Sequence, residues 1–247
     1  MCRHLAYLGP PLRLGDLIDA PHGLAAQGLH PREMVVANEN PDGWGIAWWE
    51  GTNPEPNRYR ATVEIWLDTE FADCDALGTT VLGAVRKASP RTTRCAVNNA
   101  PFIADTQRGF LAFSLNGYAF RDPQVEARLR ACISPETRLD GDTDSEVLFT
   151  LLRQHVDRGE PLADAVAAVH HTLAPSEDEY VNMLAVTADQ IVATTWHHTL
   201  YVRRTDVATT VASEPLDGDG EWKRVPDQHV VVVDRDSLTT VPLEGLR

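Results

Sequence analysis

The stretch MCRHLAYLG, residues 1–9, places a cysteine directly behind the initiator methionine. Because cysteine is small, Met1 is expected to be removed, which leaves Cys2 with a free α-amino group beside its thiol. Such an amine has a pKa of about 7.7 to 8.0, so near neutral pH it can accept the thiol proton. The alternative is an ordinary buried cysteine that packs as a small hydrophobe. The rest of the sequence has to decide between a nucleophile and a packing residue.

The composition is that of a globular chain with an acidic surface. The 247 residues are 43% hydrophobic and carry a formal net charge of -14. This charge argues against nucleic-acid binding and against adsorption to anionic membranes. No signal peptide or membrane-spanning run is visible, which predicts a cytoplasmic protein. At this length one large domain is as likely as two, and a homo-oligomer is left open.

The cysteines and histidines give no sign of a metal or another cofactor. The four cysteines are scattered and form no CxxC pair, so neither a zinc site nor a disulfide framework is indicated. The histidine pairs at 170–171 and 197–198 are adjacent, without the i, i+4 spacing of a helical metal pair. We therefore expect no cofactor.

Hydrophobic periodicity changes twice along the chain. Short segments rich in β-branched and aromatic residues lie between turn residues at 2–9, 44–51, 60–67, 81–88 and 109–117. From about Pro123 to Leu173 the apolar residues recur at helical spacing, and Thr143 or Asp144 is placed to cap a helix. Strand-like segments return at 181–188, 190–196, 199–204, 208–214 and 229–236. Strands, then helices, then strands indicate an α+β protein whose sheets are covered by helices.

Five polar stretches fall at predicted strand ends or loop starts, where functional groups tend to lie. Each alone is equally consistent with a turn, a surface charge cluster or a helix cap. The stretches are NPDGWGIAWW (40–49), AVRKASPR (84–91), NNAPF (98–102), FSLNG (113–117) and GDTDSE (141–146).

Taken together and in this order, the N-terminal Cys and these stretches resemble the class II glutamine amidotransferase family of N-terminal-nucleophile hydrolases. The resemblance spans residues 2 to about 146. It implies a single domain over residues 2–247 that forms a four-layer αββα sandwich, with two mainly antiparallel sheets between helix layers. It also implies cleavage of a γ-glutamyl amide through a thioester on Cys2, with a small-molecule substrate.

The resemblance assigns roles to the matching positions. The Asn116 side-chain amide and the Gly117 backbone N–H would form the oxyanion hole. Arg86, assisted by Ser89, would hold the glutamyl α-carboxylate, for which a planar guanidinium is suited. Asp144 would pair with the α-ammonium. Asn98 and the segment 101–102 would shape the loop around the glutamyl group.

Two positions depart from the family pattern. Leu115 stands where many members have His before Asn-Gly, and Pro90-Arg91 stands where synthase-type members have His-Gly. Neither change removes a group that the mechanism needs. Both argue against an ammonia-channelling synthase, and we expect the γ-glutamyl group to be attached to something other than ammonia.

The start MCRHLAYLG and the tail stretches at 193–202 and 211–229 narrow the resemblance. They are similar to family members of ergothioneine biosynthesis, which remove the γ-glutamyl group from a hercynylcysteine sulfoxide conjugate. The tail stretches do not by themselves indicate a mechanism, and ASEP (212–215) is equally a strand-to-loop corner. The alternatives are an amidotransferase-type hydrolase of another γ-glutamyl compound, a glutaminase subunit with an unseen partner, and a non-catalytic scaffold.

The leaving group of such a conjugate carries a trimethylammonium, which cannot donate a hydrogen bond. Its recognition should use aromatic faces and nearby negative charge. Trp44, in the DGWG turn, and Trp222, in the tail, are the candidates for the outer pocket, although core packing is the alternative for each.

Overall fold

The computed structural model describes residues 2–34, 38–71, 74–89 and 91–246; Met1 and Pro90, on which two of the expectations rest, lie outside this part. Its five helices are α1 (Gly15–Ile18), α2 (Leu24–Leu29), α3 (Pro123–Ala131), α4 (Asp144–Asp157) and α5 (Leu162–Leu173). Its strands are β1 (Arg3–Arg13), β2 (Trp44–Trp49), β3 (Asn57–Ala61), β4 (Leu77–Val85), β5 (Phe102–Thr106), β6 (Gly109–Gly117), β7 (Val181–Val186), β8 (Gln190–Thr194), β9 (Tyr201–Arg204), β10 (Thr209–Ala212), β11 (Lys223–Arg224), β12 (His229–Asp234) and β13 (Leu238–Pro242).

The strands form two antiparallel sheets. Sheet A has the order β11-β9-β10-β1-β4-β2-β3, and sheet B has the order β13-β12-β8-β7-β6-β5. The first strand, β1, lies in the middle of sheet A, with β10 on one side and β4 on the other. A strand from the chain's start is thus held on both sides by strands far away in sequence.

Three apolar clusters separate four layers. One lies between the two sheets and includes Ala6 and Leu82 of sheet A and Leu184 of sheet B. A second packs α3, α4 and α5 on sheet B, and a third packs α1 and α2 on the other face of sheet A. Successive side chains of a strand point to opposite faces of its sheet, so each strand can contribute to the clusters on both sides. The expected αββα sandwich is confirmed.

The local predictions differ from the structure in a few places. The segment 60–67, expected to be one strand, ends as β3 at Ala61, and Ile65–Leu67 forms a 3₁₀ turn. The turn packs against α2, and this tertiary contact prevails over the strand propensity of its residues. The short helices α1 and α2 and the strands β5, β11 and β13 were not expected from the sequence.

The ends of several elements meet at one edge of the sandwich. Arg3, at the start of β1, pairs with Val85, at the end of β4, and Val85 also pairs with Trp44, at the start of β2. Thr143 is the residue that caps α4, and its hydroxyl accepts a 3.1 Å hydrogen bond from the Glu146 N–H.

Within the described residues, no helix has the length and apolar character needed to span a bilayer.

Candidate active site

Cys2 lies just ahead of β1 and is half-buried. The Asn116 side chain lies directly against it. The hydrogen-bonding pattern orients the Asn116 amide so that Nδ2 faces the Cys2 carbonyl oxygen and Oδ1 accepts from Arg3 Nη1 at 3.3 Å. The predicted nucleophile and the predicted oxyanion-hole side chain are therefore neighbours, although 114 positions separate them in the numbering.

Gly117 follows Asn116 at the end of β6, opposite Val181 of β7. A Cβ atom at Gly117 would collide with the Tyr180 carbonyl oxygen. That carbonyl also accepts a 3.3 Å hydrogen bond from the Tyr118 N–H. Only glycine fits where the backbone passes this close to another backbone segment, which accounts for the residue type at the position.

Arg86 follows β4 and is 7% exposed. Its Nη1 donates to the Thr93 carbonyl (3.2 Å) and to Asn99 Oδ1 (3.4 Å), and its Nη2 donates to Thr92 Oγ1 (2.9 Å). Within the described residues, three of its five N–H groups are used in this way, which leaves two for a ligand. A guanidinium fixed on one side can present its remaining edge to a carboxylate.

Among the contacts of the described residues, Ser89 reaches Arg86 through Thr92. The Ser89 hydroxyl donates to Thr92 Oγ1 at 3.3 Å, and Thr92 in turn accepts from Arg86. Thr92 is thus the residue in contact with the guanidinium. Ser89 occupies the family's Ser/Thr position, whereas nothing in the sequence around Thr92 marks it as the partner of Arg86.

Asp42 of the DGWG turn anchors the loop that follows Arg86. Its side chain is buried, accepts a 2.7 Å hydrogen bond from the Ala88 N–H and pairs with Arg94 at 2.7 Å. The backbones of Asp42 and Arg86 are also bonded to each other. The turn therefore positions the Arg86 loop, a function that the quoted motif alone did not reveal.

Asn98 joins two loops. Its Nδ2 donates to the Thr93 carbonyl (2.8 Å) and to Asp142 Oδ1 (2.7 Å), and its Oδ1 accepts from the Asp142 N–H. Gly141 is required beside it, because a Cβ there would collide with Asn98 Oδ1. With both ends of its amide engaged, Asn98 is placed as a support of the loop rather than as a direct ligand of substrate.

Asp144 begins α4 and is 8% exposed. Its Oδ2 accepts from the Ala119 N–H and its Oδ1 from the Ser145 N–H, both at 2.7 Å. Burial raises the pKa of the Asp144 carboxyl, and these bonds and the Arg86 charge oppose the rise. Asp144 therefore ties the chain just beyond Gly117 to the helix and is electrostatically coupled to Arg86.

A buried ion pair that the sequence does not predict lies directly behind the proposed nucleophile. Arg3 Nε lies 3.0 Å from Glu214 Oε1, with the two side chains 0% and 1% exposed. Glu214 also accepts from the backbone N–H groups of Arg32 (2.8 Å) and Glu33 (3.1 Å). Burial lowers the pKa of the Arg3 guanidinium, and the Glu214 charge opposes this effect.

Ser213, the residue before Glu214, is hydrogen-bonded to the backbone of His4, the residue after Arg3 in β1. Its hydroxyl accepts from the His4 N–H at 3.0 Å, and its own N–H donates to the His4 carbonyl at 2.9 Å. The ASEP stretch at 212–215 thus fastens residues 3 and 4 to sheet A. The stretch is visible in the sequence, but Arg3 and His4 lie more than 200 residues away, and no local pattern identifies them as its partners.

His4 lies between the sheets without any exposed surface, and its Nδ1 is 3.3 Å from Ser114 Oγ. Burial lowers the pKa of His4 to about 3, and the Arg3 charge adds to the shift. The imidazole is therefore neutral near neutral pH. It is a packing and hydrogen-bonding residue beside the site.

The two tryptophans are not brought together with these residues. Trp44 is 1% exposed, packs against Tyr59 and Phe71, and donates its indole N–H to Asp68 at 2.8 Å. Trp44 thus lies in the core instead of a substrate pocket, because its ring has almost no free surface. Trp222 is half-buried; its indole N–H donates to Asp217, and the Arg203 guanidinium lies 5.0 Å from its ring.

Within the described residues, no three His, Cys, Asp or Glu side chains are grouped to hold a metal.

Comparison with solved structures defines the class. The chain superposes with a TM-score of 0.73 on glutamine phosphoribosylpyrophosphate amidotransferase from B. subtilis, at 17% identity, over 98% of this chain and 49% of that one. A glutamine aminotransferase class-II domain protein from Silicibacter pomeroyi gives 0.66 at 21% identity, over 98% and 99%. The chain therefore has the fold of these glutamine amidotransferase-type proteins, with Cys2 just ahead of the central strand β1.

Curated relatives define the family more narrowly. The gamma-glutamyl-hercynylcysteine sulfoxide hydrolase of Mycobacterium tuberculosis is 31% identical over 247 residues, covering 99% of this chain and 97% of the relative. The enzyme of that name from Mycolicibacterium smegmatis is 32% identical, covering 98% and 100%. No family model matches the chain. The chain belongs to the family of these hydrolases and is an amidohydrolase.

Proposed function

We propose that this chain hydrolyses the γ-glutamyl amide of γ-glutamyl-hercynylcysteine sulfoxide and releases glutamate and hercynylcysteine sulfoxide. The observation that carries the proposal is the full-length match to relatives named for this activity. The contact between the Asn116 amide and the Cys2 backbone carbonyl oxygen supports it, because it places an amide donor next to the residue that carries the thiol. Both belong in an enzyme that proceeds through an acyl intermediate.

In the proposed reaction the Cys2 thiol attacks the γ-carbonyl carbon after Met1 has been removed. The freed α-amino group takes the thiol proton, and the Sγ–C bond forms as the carbonyl oxygen becomes an oxyanion. When the tetrahedral intermediate collapses, the C–N bond breaks and the leaving amine takes the proton. Water then adds to the thioester, glutamate leaves, and the thiol is regenerated.

Asn116 and Gly117 are proposed to stabilise the oxyanion. The Asn116 side chain has no exposed surface, so its amide is fixed before substrate arrives. Preorganised donors of this kind lower the barrier because they do not have to reorient during the reaction. The Tyr180 carbonyl keeps the Gly117 backbone in place from the other side.

Arg86 and Asp144 are proposed to bind the two charged groups of the glutamyl moiety. The free edge of the Arg86 guanidinium suits the α-carboxylate, and Asp144, buried and coupled to Arg86, suits the α-ammonium. Thr92, Asn98 and Asp42 hold the loops from which these groups project. Correct positioning of the glutamyl group lowers the barrier as well as the KM.

We further infer a cytoplasmic location, a small molecule as the binding partner, and no affinity for nucleic acid or membranes. The four cysteines are free in the structure, as is usual in a reducing compartment. The net charge of -14 disfavours polyanionic partners and anionic lipid surfaces.

The test is to incubate the purified protein separately with glutamine, γ-glutamylcysteine and γ-glutamyl-hercynylcysteine sulfoxide and to measure released glutamate. The proposal predicts the largest kcat/KM on the sulfoxide conjugate and no turnover by Cys2→Ala, whose fold is checked by circular dichroism. An equal rate on glutamine would refute the substrate. Undiminished turnover by Cys2→Ala would refute the nucleophile.

A further inference from the structure

A cleft of about 610 Å³ lies beside the candidate active site. Its volume falls within the roughly 300–1,000 Å³ typical of small-molecule sites. The lining residues are Glu177, Tyr180, His197, His198, Arg224, Val225, Pro226 and Asp227. Most of them come from the two tail stretches, 193–202 and 211–229, whose purpose the sequence alone did not reveal.

The cleft begins at the proposed oxyanion hole. Its lining residue Tyr180 has the carbonyl oxygen that abuts Gly117. The ring of Tyr180 lies 5.0 Å from that of His198, which is 4% exposed. Burial lowers the pKa of His198 to about 3, and the charge of Arg3, the residue after the nucleophile, adds to the shift. A substrate whose carbonyl lies at Gly117 therefore has this cleft within reach of its leaving group.

One wall of the cleft is negatively charged. The His197 ring lies between two carboxylates, with Nδ1 2.8 Å from Asp227 Oδ2 and Nε2 3.4 Å from Glu177 Oε2. The Asp227 carboxylate also accepts the His197 N–H at 2.7 Å, which fixes this residue at a φ of 60°. The side chains of Asp227 and Glu177 remain 47% and 82% exposed, so both can face a ligand.

Arg224 supplies the positive charge of the lining. It lies on the edge strand β11, opposite Tyr201 of β9, and its charge acts on the Tyr201 hydroxyl. The acidic wall, in contrast, is built from the segment before β7 and from the loop before β12. The cleft thus presents two carboxylates on one side, a guanidinium from another element, and the half-buried Tyr180 ring.

We propose that this cleft binds the hercynyl part of the leaving group, an inference that rests on the proposed function. The trimethylammonium of that group cannot donate a hydrogen bond and is attracted by carboxylates and aromatic faces, here Glu177, Asp227 and Tyr180. The carboxylate of the same betaine pairs with the Arg224 guanidinium. A zwitterion with both charges on one carbon framework matches a cleft that carries both complementary charges.

The experiment compares two substrates that share the same glutamyl–cysteine amide. The kcat/KM for γ-glutamyl-hercynylcysteine sulfoxide is divided by that for γ-glutamylcysteine, which lacks the hercynyl group. Arg224→Gln should lower this ratio about tenfold, because one charge-assisted contact is lost, and Glu177→Gln about threefold. Hercynine alone should inhibit the wild-type protein competitively and inhibit Arg224→Gln less.

The matched control is Arg108→Gln, because Arg108 lies at the opposite end of β6 from Gly117 and outside this cleft. It should leave the ratio unchanged. If the wild-type protein prefers the conjugate and neither cleft variant lowers the ratio, the cleft assignment is overturned while the proposed function stands. Equal losses on both substrates would also overturn it. A wild-type protein without preference for the conjugate would refute the proposed function itself.

Discussion

The ion pair between Arg3 and Glu214 gives the sharpest prediction on stability. Glu214→Gln removes the negative charge and keeps an acceptor oxygen for only one of the Arg32 and Glu33 N–H groups, which bond to different carboxylate oxygens. Arg3, which has no exposed surface, is then left as a buried charge without its partner. Removing one member of a buried pair costs about 3–5 kcal/mol of the free energy of unfolding. For a chain of this length that corresponds to a fall in Tm of about 6–20 °C.

The assay is urea and thermal unfolding of four proteins: wild type, Glu214→Gln, Arg3→Met and the double variant. The double variant should be more stable than the sum of the single effects implies, because it has no uncompensated charge. Glu126→Gln is the control, since Glu126 pairs with Arg130 at the surface, with exposed fractions of 35% and 37%, and should cost less than about 1 kcal/mol. A Glu214→Gln variant as stable as Glu126→Gln would refute the reasoning.

Three further predictions concern the site and its surroundings. Asn116→Ala should lower kcat about 100- to 1,000-fold, the usual cost of one oxyanion-hole donor, and an unchanged steady-state kcat would contradict the role. Arg86→Lys keeps the charge but loses the planar fork, so initial-rate kinetics should show a raised KM and a lowered kcat, and wild-type values for both would count against the clamp. Burial lowers the pKa values of His4 and His170 to about 3 and about 4, below the value near 6.5 in the unfolded chain. Between these limits the unfolded chain binds more protons than the folded one. The free energy of unfolding therefore falls as the pH is lowered through that window. Urea unfolding should therefore give a smaller free energy of unfolding at pH 5 than at pH 7, and this difference should be smaller in His170→Gln. Equal free energies of unfolding at the two pH values in the wild type would contradict the burial argument.

Local sequence patterns were sufficient for most strands and for the helices of residues 123–173. Alternation and helical spacing report which faces are buried, and those faces did form the three clusters. The patterns failed where tertiary contact decides conformation, as in the 3₁₀ turn at Ile65–Leu67 on α2. They also missed α1 and α2, which are too short, at four and six residues, to show a helical period.

Part of the candidate site could be predicted because some residue types suggest a chemical role by themselves. The motifs that carry a thiol, a guanidinium and an amide follow one another in the order typical of the family. That order identified Cys2, Arg86 and Asn116 as candidates. Glu214 could not, because its partner at Arg3 is more than 200 residues away and a buried ion pair leaves no local signature. Trp44 was nominated on the chemistry of its ring, but the position of that ring depends on Phe71 and Asp68, which the sequence did not connect to it.

The central claim is that Cys2, as the first residue of the processed chain, carries the γ-glutamyl group during turnover. Peptide mapping by mass spectrometry, after acid quenching of the protein mixed with γ-glutamyl-hercynylcysteine sulfoxide, tests it directly. The account predicts an N-terminal peptide that begins at Cys2 and bears one γ-glutamyl group. A γ-glutamyl group found instead on Cys74, Cys95 or Cys132, or on Cys2 of a chain that still retains Met1 and turns over at the full rate, would contradict it.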